Sequence, residues 1–181
     1  MNNRLYIDSY ATIGRRGAKD IETRYETEDL IEEMEWCGIH GAFVAHATAK
    51  EYDPTFGNKL LLRELKKSPR LYGVWTVMPH HTGEMAEPKE VVKEMLGHGI
   101  RAAKMHPRIH RYPFTVDCCG ALLKELERQE ILLMLEGGYL YNPDILEPIN
   151  QVLLSDLDII LTNFPNLKVL LQGSRWESTR Y

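Results

Sequence analysis

The sequence predicts an α/β fold built on a parallel sheet, and two observations carry that prediction. Short, nearly continuous apolar runs recur along the chain at Leu5–Asp8, Gly41–Ala45, Leu71–Val77, Ile100–Lys104, Ile131–Leu135 and Lys168–Leu171. Runs that do not alternate polar with apolar are the mark of strands covered on both faces. Their starts lie about 30 residues apart, the length of one βα unit. Between the runs the apolar spacing changes to that of helices, so strand and helix alternate.

Each helix has its own signals. Leu30, Ile31, Met34 and Cys37 share one helical face after the candidate cap Thr27, and Gly38 stands where a terminating glycine belongs. Pro88 opens a helix bearing Val91, Val92, Met95 and Leu96, with Gly97 as its expected stop. Cys119, Leu122, Leu123 and Leu126 follow the candidate cap Thr115, and Leu157, Ile160, Leu161 and Phe164 form a last stripe before Pro165. No linker or repeat interrupts the chain, so residues 1–181 read as one domain.

Composition narrows the function. The chain has 181 residues, 44% of them hydrophobic and 27% charged, with a formal net charge of −4. This is the make-up of a globular protein, and an acidic balance argues against a nucleic-acid partner. No stretch approaches the roughly 20 apolar residues of a membrane span. The three cysteines, Cys37, Cys118 and Cys119, form no C-x-x-C pair and fit a reducing cytoplasm.

Two architectures accommodate six βα units, a doubly wound sheet and a (β/α)₈ barrel. The turn after the first strand, Gly14-Arg15-Arg16-Gly17, lacks the G-x-G-x-x-G of a dinucleotide fold. A barrel of eight units takes about 250 residues, so the barrel reading makes this chain incomplete by about two units and truncated at its C-terminus.

The order of motifs resembles the amidohydrolase-related family of metal-dependent hydrolases, which are TIM barrels. Asp8-Ser9-Tyr10-Ala11-Thr12-Ile13-Gly14 occupies the frame of that family's opening D-x-H-x-H-x-G. Gly99-Ile100-Arg101-Ala102-Ala103-Lys104-Met105-His106-Pro107 matches its G-x-x-x-x-K-x-H-P. Ile131 to Gly137 resembles P-V-L-I-H-T-G, and Phe164-Pro165-Asn166-Leu167-Lys168 resembles its sixth-strand phrase. The resemblance covers essentially the whole chain and implies a TIM-barrel-like (β/α) repeat with hydrolase activity. It departs at the metal motif, where Tyr10 and Thr12 stand in place of the two histidines. The histidines of that motif share a face because residues i and i+2 of a strand do.

In a barrel, chemistry sits where the strands end. The candidates there are Asp8, Tyr10 and Thr12; His46; His80 and His81; Lys104 and His106; Glu136; and Gln172 with Arg175. His80 and His81, if on a strand, would point in opposite directions. Glu136 and His106 are the candidate catalytic residues, with Asp8, Tyr10, Lys104 and Arg108 on the substrate. Lys104, His106, Arg108, His110 and Arg111 form a basic loop suited to a carboxylate or phosphate, or a solvated surface. Glu136 reads either as a general base or as a structural partner of Lys104 or Arg101. His46, His106 and Glu136 are the candidate ligands for one divalent metal such as zinc, against a metal-free reading with no cofactor. Cys118 at a helix start suits thiolate activation, whereas Cys119 suits packing. Two functions follow: a hydrolase acting on a small anionic or carbonyl substrate at the C-terminal mouth of the barrel, or a metal-free, non-catalytic homologue that binds a small molecule or a partner chain. A homo-oligomer is expected.

Overall fold

The structure is a computed structural model that describes residues 4–17, 24–136 and 154–172. Arg175 and the other residues beyond 172 lie outside the described residues, as does Gly137. The chain divides into two compact units, Met1–Thr76 and Val77–Tyr181.

In the first unit the elements are β1 (Ile7–Ile13), α1 (Thr27–Trp36), β2 (Gly41–His46), α2 (Ala47–Glu51), α3 (Pro54–Glu64) and β3 (Leu71–Thr76). β2 lies between β1 and β3 and is parallel to both. The second unit contains α4 (Pro88–Gly97), β4 (Ala102–Met105), α5 (Val116–Arg128), β5 (Leu132–Glu136), α6 (Leu154–Asn163) and β6 (Val169–Gln172). Here β5 lies between β4 and β6, again parallel. All six expected strands are present, and the buried residues of each unit are mostly the apolar ones that the runs and stripes supplied.

β1 differs from the expectation. It begins two residues later than Leu5 and continues five residues past Asp8, because Ala11 and Ile13 extend the strand into the core. Asp8 aligns with Ala42, but Ala11 aligns with Val44, so β1 carries one residue more than β2 over that stretch. This is a β-bulge, which swaps the faces of all later residues. Asp8 and Thr12 therefore point to opposite sides, although their spacing would place them together on a regular strand.

Three helices end in the same way. Gly38, Gly99 and Glu130 have φ of 69°, 74° and 53°, and the next residue, an isoleucine each time, bonds back into the helix. The amides of Ile39, Ile100 and Ile131 donate to the carbonyls of Met34, Met95 and Leu126. This left-handed stop turns the chain from helix to strand; Ile100 and Ile131 then enter the core, while Ile39 is half-buried. The stop of α4 is thus Gly99, while Gly97 is its last helical residue. Cys37 and Leu161, expected on packed faces, are exposed instead, because each falls at or near the solvent side of a helix end.

The segment between β2 and β3, where the alternation implies a helix but no helical stripe was assigned, holds two, α2 and α3. α3 is started by Asp53, whose carboxylate accepts from the Phe56 amide at 2.8 Å, and by Pro54 in the first turn. Asn58 is 3% exposed and reaches β3. Its Nδ2 donates to the Thr76 carbonyl at 2.8 Å, and its Oδ1 accepts from the Thr76 amide at 3.0 Å. A buried side-chain amide thus acts as a strand neighbour for the last residue of β3.

Gly57 allows α3 to lie against α2. A Cβ there would come within 2.1 Å of the Ala49 backbone nitrogen, an obstruction that no rotamer relieves. Gly57→Ala should cost about 3 kcal/mol or more, at the upper end of overpacking effects. Urea unfolding of the variant is the check, and a loss under about 0.5 kcal/mol would mean that α2 and α3 do not approach this closely.

Candidate active site

The second unit brings together several of the chemistry-bearing residues at the C-terminal ends of its strands. The register pairs Lys104 with Met134 and Met134 with Leu170, and then Glu136 with Gln172. With side chains alternating along each strand, Lys104, Met134, Glu136, Leu170 and Gln172 share one face. Contacts agree. Lys104 Nζ lies 2.9 Å from Glu136 Oε1, and Gln172 Nε2 donates to Met134 Sδ at 3.6 Å.

The Lys104–Glu136 pair is the unusual feature of this face. Its side chains are 5% and 13% exposed, and Lys104 is the one buried lysine among the described residues. Every residue of β4 is buried. Of the two sequence readings of Glu136, the structure realises contact with Lys104, which is itself compatible with either role. The backbone of Lys104 is held as well, its carbonyl accepting from the Val77 amide at 2.9 Å.

β4 leads directly into His106, which is 5% exposed. A tight turn follows, in which the amides of His110 and Tyr112 donate to the carbonyls of His106 and Pro107. The turn stacks the edge of one imidazole on the other, with His106 and His110 ring centroids 5.7 Å apart. It also places Arg111 in the left-handed region at φ 53°, a conformation most residues avoid.

Arg108, the second cation expected to hold an anion, already has a carboxylate. Its Nη2 lies 3.1 Å from Oδ2 of Asp156, in the first turn of α6, whose side chain is only 6% exposed. Asp156 was not among the sequence candidates, since nothing in the local pattern ties it to a residue 48 positions earlier. Tyr112 was missed too. It is 7% exposed, and burial raises its phenol well above the ordinary range. Burial likewise pushes the Cys119 thiol up to about 12, which leaves it a packing residue at neutral pH.

His80 and His81 lie on a 3₁₀ turn, not on a strand, so they do not diverge as expected. Their ring centroids are 4.4 Å apart. His81 Nε2 meets the Cys118 carbonyl at 3.1 Å, and His80 Nε2 lies 3.3 Å from Glu87.

In the first unit, His46 ends β2 and is 8% exposed. Its Nδ1 accepts from the Thr48 amide at 3.2 Å, so the neutral ring carries its proton on Nε2. The imidazole rests against Gly14, where a Cβ would come within 2.4 Å of it. Asp8 accepts from the Tyr10 amide at 2.8 Å across the bulge, and Tyr10 is 49% exposed. Tyr10 and Thr12 offer no imidazole to a metal. Glu136 engages Lys104, and among the described residues no three His, Cys, Asp or Glu side chains are grouped to hold an ion. This donor set does not fit the metal centre implied by the resemblance. No helix among the described residues is long and apolar enough to cross a membrane.

No protein-family model matches the chain, and no curated protein matches it by sequence. Solved structures do. A 5-carboxyvanillate decarboxylase from Sphingomonas paucimobilis is similar at 11% identity with a TM-score of 0.67, over 92% of this chain and 67% of that one. A probable 2-pyrone-4,6-dicarboxylic acid hydrolase from Acinetobacter baumannii is similar at 15% identity and TM-score 0.52, over 98% of this chain and 86% of that one. An uncharacterised TIM-barrel protein from Bordetella bronchiseptica is 23% identical with a TM-score of 0.53, over 78% of this chain but only 49% of its own length. The fold is a TIM-barrel-type (β/α) repeat. Likeness at these identities establishes fold and leaves function to the site.

Burial lowers the His46 pKa, with the charge of Glu64 opposing it in part. The folded state therefore favours the neutral ring, and this contribution to stability is present above the ordinary histidine value and fades as pH falls below it. His46→Gln should flatten the loss of stability between about pH 7 and pH 5, measured by urea unfolding. Parallel pH dependences for the two proteins would show that His46 titrates alike in folded and unfolded chains.

Proposed function

We propose that this protein is a hydrolase-like enzyme acting on a small anionic or carbonyl substrate, with the Lys104–Glu136 pair at its reaction centre. The observation that carries the reading is a buried ion pair at the C-terminal ends of adjacent parallel strands, 2.9 Å across, where this type of fold places its chemistry. Its structural neighbours include a decarboxylase and a probable hydrolase, which supports a catalytic use of the scaffold.

In this reading the Lys104 ammonium stabilises negative charge developing on a substrate oxygen, and a water-poor setting strengthens that interaction. Glu136 is the general base that takes the proton of the attacking water. His106, two residues beyond Lys104, is the acid that returns a proton to the leaving group in this reading. Arg108, held by Asp156, fixes the loop that carries His106, and is the second candidate contact for a substrate anion. No step is assigned to a metal.

The test is a panel of small esters, lactones and amides, assayed with the unaltered protein and with Glu136→Gln. Loss of the base should lower turnover by about 10²–10⁴-fold. Glu136→Asp, which keeps the carboxylate but withdraws it, should lie between. Hydrolysis of none of the panel by the unaltered protein, or full activity in Glu136→Gln, would remove the proposal.

A further inference from the structure

The charge balance of the buried pair discriminates between the two substrate types left open above. An incoming carboxylate at Lys104 would place a second anion beside Glu136, and like charges brought together in a buried site are costly. A neutral carbonyl adds no charge. We propose that Lys104 binds an aldehyde or ketone covalently, as an iminium whose counter-ion is Glu136. This rests on the reading of the pair as the reaction centre.

The chemistry closes on the groups present. The Lys104 ammonium passes a proton to Glu136, giving a neutral amine and carboxylic acid, a redistribution that a dry site favours relative to water. The amine nitrogen then attacks the carbonyl carbon. A C–N bond forms, the carbonyl π pair moves to oxygen, and the nitrogen's surplus proton passes to that oxygen, yielding a carbinolamine. Glu136 returns its proton to the hydroxyl, the C–O bond breaks, and water leaves. The products are an iminium on Lys104, a carboxylate on Glu136 and one water. The two side chains carry one positive and one negative charge before and after, so the step leaves the net charge of the pair unchanged. Glu136 is the more exposed partner, at 13% against 5%.

The experiment traps the iminium. The intact protein is incubated near neutral pH with propanal and cyanoborohydride, which reduces an iminium to a stable secondary amine, and the modified lysines are located by peptide mass mapping. Lys104 should be alkylated about tenfold or more faster than Lys168, which is 59% exposed and paired only at the surface. In Glu136→Gln, labelling at Lys104 should fall while that at Lys168 stays unchanged. Labelling of Lys104 no faster than of Lys168 overturns the inference, and because this comparison is made within the unaltered protein, it does not depend on a variant folding. The ester, lactone and amide panel is run on the same preparation. Hydrolysis that requires Glu136, without preferential trapping at Lys104, would discard the covalent step and leave the reaction centre standing. Absence of both would discard both.

Discussion

A charged amine and a charged carboxylate removed from water, each stabilised by the other, is the constraint on which the second unit depends. Desolvation costs several kcal/mol for each ion, so the pair is stable only where geometry gives the attraction back. The parallel register of β4 and β5 supplies that geometry, setting Glu136 two residues beyond the position level with Lys104. β4 is only four residues long and buried throughout, which keeps Lys104 largely out of water. The consequences run outward along the chain. His106 and the turn to Tyr112 start where β4 stops, and Arg108 ties that turn to Asp156 on α6.

The first unit obeys the same rule with neutral groups. Asn58 meets both backbone groups of Thr76, and His46 accepts from the backbone of α2 while lying on a glycine that has no side chain to exclude it. In both cases a buried side chain satisfies backbone groups where a strand ends or a helix begins. The same contacts hold the strand ends where the candidate residues lie.

Much of this was legible in the sequence. The six apolar runs marked six strands, and Thr115, Pro88 and Gly38 marked helix boundaries, because strand burial, caps and left-handed stops are local properties written in local residue types. The misses were of two kinds. Some had local signals that were outweighed: Asp53-Pro54 announces α3, and Gly99 before Ile100 is the same stop as Gly38 before Ile39. Others had none. A bulge in β1 follows from its pairing with β2, so the spacing of Asp8 and Thr12 alone suggested a shared face that the fold does not provide. Arg108 and Asp156 meet only through tertiary packing. The motif containing Lys104 and His106 located the candidate site, and Lys104 was one of the two partners the sequence offered Glu136; only the pairing of β4 with β5 selects it.

The most direct measurement is a thermodynamic cycle on the pair, comparing unfolding of Lys104→Met, Glu136→Leu and the double variant with the unaltered protein. Each single change strands a buried charge and should cost about 3–5 kcal/mol, whereas the double change removes both charges and should cost far less than their sum. Small, additive losses would mean that Lys104 and Glu136 are each solvated separately, and the buried pair on which the site rests would not exist.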